Sequence, residues 1–166
     1  MTTQKSNSDF ADARFRQFAP ALGKVGQYQM SAVPYLSSSV HVFAAALNVA
    51  PTEVSFPSVT RFVTVINEAT GSPNKPLRVG FSSLGVSGST NAGGETNRNY
   101  FVLDNGESYT GEWRVSKIFL HGASNPVGGT GGPVAVYDTT ASIIAGLTGI
   151  PHDALMTNWT GSSGVG

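Results

Sequence analysis

The ten residues SVTRFVTVIN, 58 to 67, set Val59, Arg61, Val63 and Val65 on one parity and Thr60, Phe62, Thr64 and Ile66 on the other. That period of two, carried by β-branched side chains, suits a pleated sheet and is incompatible with a helix stripe. The same alternation returns in LRVGF (Leu77, Val79, Phe81), in NYFVL from Asn99, and in TTASIIAGLTGIP, where Ile143, Ala145 and Leu147 alternate with Ser142, Ile144 and Gly146. VHVFAAALN puts Val40, Val42 and Ala44 opposite His41, Phe43 and Ala45, and the short EVSFP ends at Pro57. Twenty Gly and nine Pro separate these runs. Six to eight short strands at such spacing predict an all-β, antiparallel β-sandwich.

Twice the apolar phase slips. Leu84 and Val86 leave the parity of Phe81, and Ile118 and Leu120 leave that of Trp113 and Val115. Each slip predicts a bulge, near Ser82-Ser83 and near Ser116-Lys117, where a strand can bend from one sheet into another. With long connections, and without the cysteine and tryptophan marks of an immunoglobulin domain, the expectation is a jelly-roll sandwich.

Three regions follow, within a length that suits one core. Residues 1–36 read as an extended N-terminal arm, 37–151 as the jelly-roll β-sandwich, and 152–166 as a C-terminal tail. In the arm, Ala11, Phe15 and Phe18 fall at helical spacing behind Ser8 or Asp9, a short amphipathic helix. Pro20, Gly23, Gly26 and Pro34 then break regular structure. The arm holds four basic and two acidic residues and is rich in aromatics, which disordered tails lack. Phe10, Phe15, Phe18, Tyr28 and Tyr35, together with Met30, are therefore expected to contact a partner subunit rather than the arm's own domain. Burying a few of these phenylalanines at about 1.5–3 kcal/mol each offsets the entropy of ordering such a segment.

Charge narrows the partners. Ten basic residues balance ten acidic ones, and charged residues are 12% of the chain. No global field draws it to nucleic acid or to an anionic membrane, so neither is an expected partner. Cysteine is absent, which removes disulfides and thiolate metal sites. The N-terminal stretch has no apolar signal region and no run is long enough to span a bilayer, so synthesis in a cytosol is expected.

The residues able to carry chemistry each have a plain structural role as well. Asp104, Glu107 and Glu112 crowd the stretch NYFVLDNGESYTGEWRVSKIFLHG, and two carboxyls at suitable spacing are what a glycosidase needs. They flank Asn105-Gly106, however, and acidic residues are common at turns, so the stretch reads as a hairpin: a strand, a turn and a long bent strand. His41, His121 and His152 show no metal-ligand spacing. The glycine-rich loops at 87–97 and 123–133 lack the lysine and the following helix of a phosphate cradle. No Gly-x-Ser-x-Gly elbow occurs, and NWT at 158–160 reads as a chance glycosylation match. Neither catalysis nor a cofactor is expected. Tyr100, Trp113 or Trp159 can stack on a sugar, but Trp113 shares the parity of Val115 and reads as core.

The segments FPSVTRFVTVINEATGSPNKPLRVGFSSLGV, NYFVLDNGESYTGEWRVSKIFL and ASIIAGLTGIP resemble the core of jelly-roll capsid decoration, cement or minor capsid proteins of tailed bacteriophages and related viruses. The resemblance covers residues 40 to 151. It implies a virion structural protein made in the host cytoplasm that sits on the capsid surface, commonly as a homotrimer, and fastens the major capsid protein lattice. The alternative is a carbohydrate- or receptor-binding jelly-roll module of a virion.

Overall fold

The computed structural model describes residues 32–45, 49–87, 99–126 and 134–152. These form β1 (Val33–Val42), β2 (Thr52–Ser55), β3 (Ser58–Asn67), β4 (Leu77–Gly80), the short helix α1 (Ser83–Ser87), β5 (Tyr100–Leu103), β6 (Ser108–Gly111), β7 (Lys117–Gly122), β8 (Ser124–Pro126), β9 (Val134–Val136) and β10 (Thr139–Pro151). Eight of the strands build two four-stranded sheets, in the orders β1-β10-β3-β6 and β2-β7-β4-β5, and β8 pairs with β9 apart from both. Every strand pair is antiparallel.

The two sheets face each other across one apolar layer. Val42, Val63, Val65, Ala141, Ile143 and Ala145 come from the first sheet, and Val54, Leu77, Val79, Leu103, Ile118 and Leu120 from the second. The alternation of each strand selects that set: in β3, Val63 and Val65 are fully buried while the intervening Phe62, Thr64 and Ile66 are not. The chain is thus an all-β sandwich, as its periodicity requires. Its strand pairs are nested: β1 with β10, β2 with β7, β3 with β6, and β4 with β5.

Four sequence expectations need correction. The first strand begins at Val33 rather than near Val40, so residues 33–36, read as the end of the arm, belong to the sheet. Pro34 did not prevent this because β1 is an edge strand, where a missing N–H is tolerated. The phase slip after Phe81 is no bulge. The strand stops at Gly80 and α1 follows, with Ser82 Oγ accepting from Gly85 N at 3.1 Å. Val86 lies over Gly80, where a Cβ would come within 2.4 Å of its methyl group.

The slip near Ser116 has a different origin as well. β5 and β6 flank a turn but do not pair with each other, because β5 joins β4 and β6 joins β3. The expected hairpin is therefore an arch between opposite sheets, and residues 112–116 carry the chain back from the first sheet to the second. Alternation cannot distinguish the two, since each strand still buries one face. Finally, part of the expected glycine-rich loop at 123–133 is β8.

The arch is held by Asn67, a fully buried side chain at the end of β3. Its Nδ2 donates towards Lys75 O, Leu103 O and Asp104 O at 3.0 to 3.1 Å, and its Oδ1 accepts from Ala69 N and Thr139 Oγ1. Replacing Asn67 by Ala strands these buried groups, and a loss of about 2–4 kcal/mol in unfolding free energy is expected. The midpoint of urea denaturation measures it, and an unchanged midpoint would show that the network is dispensable.

Candidate interaction surface

The two sheets differ on their outer faces. On the first, the outward residues are Pro34, Leu36 and His41 of β1, Thr140, Ser142, Ile144 and Gly146 of β10, Phe62, Thr64 and Ile66 of β3, and Ser108 and Thr110 of β6. His41, at one end of the face, pairs with Asp138, and none of the others is charged. Leu36 stands directly opposite Ile144, and Ile144 opposite Thr64, so an apolar pair continues into a threonine ladder closed by the 2.8 Å Thr64–Thr110 hydroxyl contact. Leu36 is 69% exposed and Ile144 38%. Glu68, which accepts from Ser142 Oγ, and Arg61, the extra residue where the β3–β10 register shifts, mark the rims of this face.

The second sheet covers part of its outer face and leaves Val102 of β5 exposed there. Helix α1 lies over β4 and β7, and the segment after β1 reaches across, with Gly122 N donating to Phe43 O and Ala45 N to Gly122 O. Beneath lies a polar pair, Arg78 of β4 and His121 of β7, opposite each other in the ladder. The Arg78 guanidinium sits 4.7 Å over the Tyr100 ring and donates through Nη1 to Val86 O at 3.4 Å. His121 is 2% exposed, and neither of its ring nitrogens, nor Arg78 Nε, has a hydrogen-bond partner. Burial first, and then the Arg78 charge, lower the His121 pKa, and the backbone of Ala44 opposes them less strongly.

At the edge where β5 and β6 diverge, four aromatic rings line a cleft of about 540 Å³. Tyr109 stacks on Trp113 with centroids 5.6 Å apart and planes 15° apart, while Phe81 meets the Trp113 ring edge-on at 4.9 Å. Phe101 closes the group, 5.0 Å from Tyr109. Trp113 reaches this position by folding over Gly111, where a Cβ would fall 2.1 Å from the indole. The segment carrying it is pinned by Thr60, whose hydroxyl donates to Trp113 O at 2.7 Å and accepts from Val115 N at 3.2 Å. Tyr109 is 49% exposed. Glu107 and Ser108 form the polar rim.

The sequence-selected residues are dispersed. Glu107 Oε2 accepts from Asp104 N at 2.8 Å, and Asp104 Oδ1 from Asn74 Nδ2 at 2.9 Å, so both carboxylates hold the turn. Glu112 is exposed beyond it. His41 pairs with Asp138 at 3.3 Å, and His152 is exposed at the end of β10. Among the described residues, no group of three or more His, Asp or Glu is placed to hold a metal ion. Tyr35 points into the sandwich and packs edge-on against Phe56 at 5.2 Å, where the arm reading had placed it in contact with a partner. Phe10, Phe15, Phe18, Tyr28 and Trp159 lie outside the described residues. Tyr100 is engaged by Arg78, and Trp113 packs partly against the core. Sequence reasoning missed Phe81, Phe101 and Tyr109 as a group, because they meet only through the arch.

No protein-family model, curated protein or solved structure matches the chain.

Two measurements check this description. Replacing Gly111 by Ala forces Trp113 off its seat, so a red-shifted tryptophan emission and a loss of about 1–3 kcal/mol are expected. His121 is one source of acid sensitivity. Its lowered folded-state pKa means that the unfolded chain binds the proton first, so stability falls as pH drops from about 6.5 through the lowered value. His121→Leu should flatten that part of the stability–pH curve, and an unaltered slope would place the acid sensitivity elsewhere.

Proposed function

We propose that this chain is a virion structural protein, a cement or decoration protein that binds and stabilises the major capsid lattice. The nested strand pairs support a jelly-roll reading: with β8–β9 taken as an insertion, a long hairpin of four strand pairs is folded over into two sheets, the connectivity of such domains. Jelly rolls serve capsids, lectins and cupins alike, so function must come from the surface. The observation that carries the proposal is the sparsely charged outer face of the first sheet, where Leu36 and Ile144 are exposed side by side and charge stands only at the margins, at His41, Glu68 and Arg61. A freestanding soluble domain ordinarily puts charge on such a face, and a domain in a lattice covers it with protein.

In this reading the chain performs no turnover and needs no cofactor. Its partners are the major capsid protein and other copies of itself, as a homotrimer, and its place is the capsid surface after synthesis in the host cytoplasm. The N-terminal arm adds contacts that multiply across a repeating lattice. The expected result is co-sedimentation of the full chain with capsids of the same virus, and its loss on deleting residues 1–31. That truncation stops short of β1, so the remaining body should keep its cooperative thermal transition. Failure of the full chain to bind capsids overturns the proposal.

A second reading is favoured by the aromatic cleft. An exposed tyrosine stacked on tryptophan beside a carboxylate and a hydroxyl is a surface on which a sugar ring can lie, which supports a carbohydrate- or receptor-binding module. In a glycan array this reading expects binding that Tyr109→Ala weakens at least tenfold, and an array without signal rejects it.

A further inference from the structure

We infer that the outer face of the first sheet is the docking site for residues 1–31 of a neighbouring copy of this chain. The inference rests on the assembly reading above only in taking the protein to be present in several copies. Thirty-one residues precede Ala32, and Ala32 marks where they join the face: a Cβ built on the outward-facing Gly146 of β10 would come within 2.6 Å of the Ala32 methyl and 2.4 Å of the Phe62 ring. The chain therefore enters β1 at one end of the surface that carries the exposed Leu36–Ile144 pair.

What the face lacks and what the segment carries are complementary. The surface offers methyl and methylene groups with threonine hydroxyls, and the preceding segment has Phe10, Phe15, Phe18, Tyr28 and Met30 to lay on it. Direction selects the neighbour. Continuing back along β1, an extended chain at about 3.3 Å per residue carries Tyr28 some 13 Å beyond Ala32, away from its own Leu36 and Ile144. Reaching its own face requires an immediate reversal, whereas an adjacent copy on a lattice or in a trimer meets the segment head-on. Exchange of this kind between identical chains closes naturally into a ring.

The absence of cysteine makes the test direct. One population of the full chain carries Ile144→Cys and an affinity tag, and an untagged population carries Phe10→Cys, Phe15→Cys or Phe18→Cys. After mixing and mild oxidation, at least one arm position should give a tagged–untagged disulfide dimer in several-fold excess over a control with cysteine at Thr52 on the other sheet. In a second measurement, Leu36→Lys and Ile144→Lys, both exposed and without cost to the core, should speed tryptic cleavage at Arg14 and Arg16 at least tenfold while the melting transition stays in place. Overturning results are a cross-link that forms within a chain carrying both Ile144→Cys and Phe15→Cys but not between the mixed populations, cross-linking no higher than the control, or cleavage unaffected by the lysines. Capsid binding without the cross-link overturns the docking site and leaves the assembly reading standing, and the cross-link without capsid binding does the reverse.

Discussion

The sandwich depends on one amide side chain. Asn67 sits where β3 ends, the β5–β6 turn passes and β10 begins, three backbone segments that each bring polar groups into a space without water. An asparagine has two donor hydrogens and an acceptor oxygen on one planar group, so it can serve carbonyls on one side and an N–H and a hydroxyl on the other. Its backbone joins in: Asn67 N donates to Glu107 O, and Gly106 N donates to Asn67 O. Gly106 takes φ of +74° there, a conformation glycine reaches without strain. That anchor, with the Glu107 and Asp104 contacts inside the turn, holds it so that β5 enters the second sheet and β6 the first.

Once the arch is fixed, much of the remaining architecture follows. The chain must return from the first sheet to the second, and it does so across residues 112–116, bonded to Thr60. Trp113 swings over Gly111 and closes the open end of the core with Phe81, Phe101 and Tyr109. The aromatic cleft is thus the visible side of a structural necessity: two diverging edge strands leave a gap, and large rings fill it while keeping one surface exposed. Any ligand that uses the cleft would use rings already fixed by packing, which lowers the entropy cost of binding.

The asymmetry between the sheets bears most on function. The second sheet buries a histidine, and the Nε of an arginine beside it, next to α1 and the segment that follows β1, at the expense of nitrogens left without partners. The first sheet leaves Leu36 and Ile144 side by side in the open, with charge only at the margins of that face. That is why an assembly role, rather than catalysis at the turn carboxylates, is the reading to which the surface leads. Asp104 and Glu107 are committed to backbone and amide contacts within the turn.

The sequence by itself determined the strand class and most of the strand cores, because period-two alternation of β-branched residues decides locally which side chains share a face. β3, β4 and β10 could be read almost residue by residue from Val63, Val65, Leu77, Val79, Ile143 and Ala145. The two phase slips were also legible as events, though not as what they are: a stop followed by a helix cap at Ser82, and a crossing between sheets anchored on Thr60. Only the tertiary structure decided that β5 and β6 part company, that Tyr35 points inward, that Asn67 is a hub and that Leu36 meets Ile144. The physical reason is range. Alternation is a property of neighbouring residues, whereas pairing partners, buried amides and shared faces join residues as far as 114 positions apart, as Val33 and Leu147 are, and exist only once both sheets have closed on the same core.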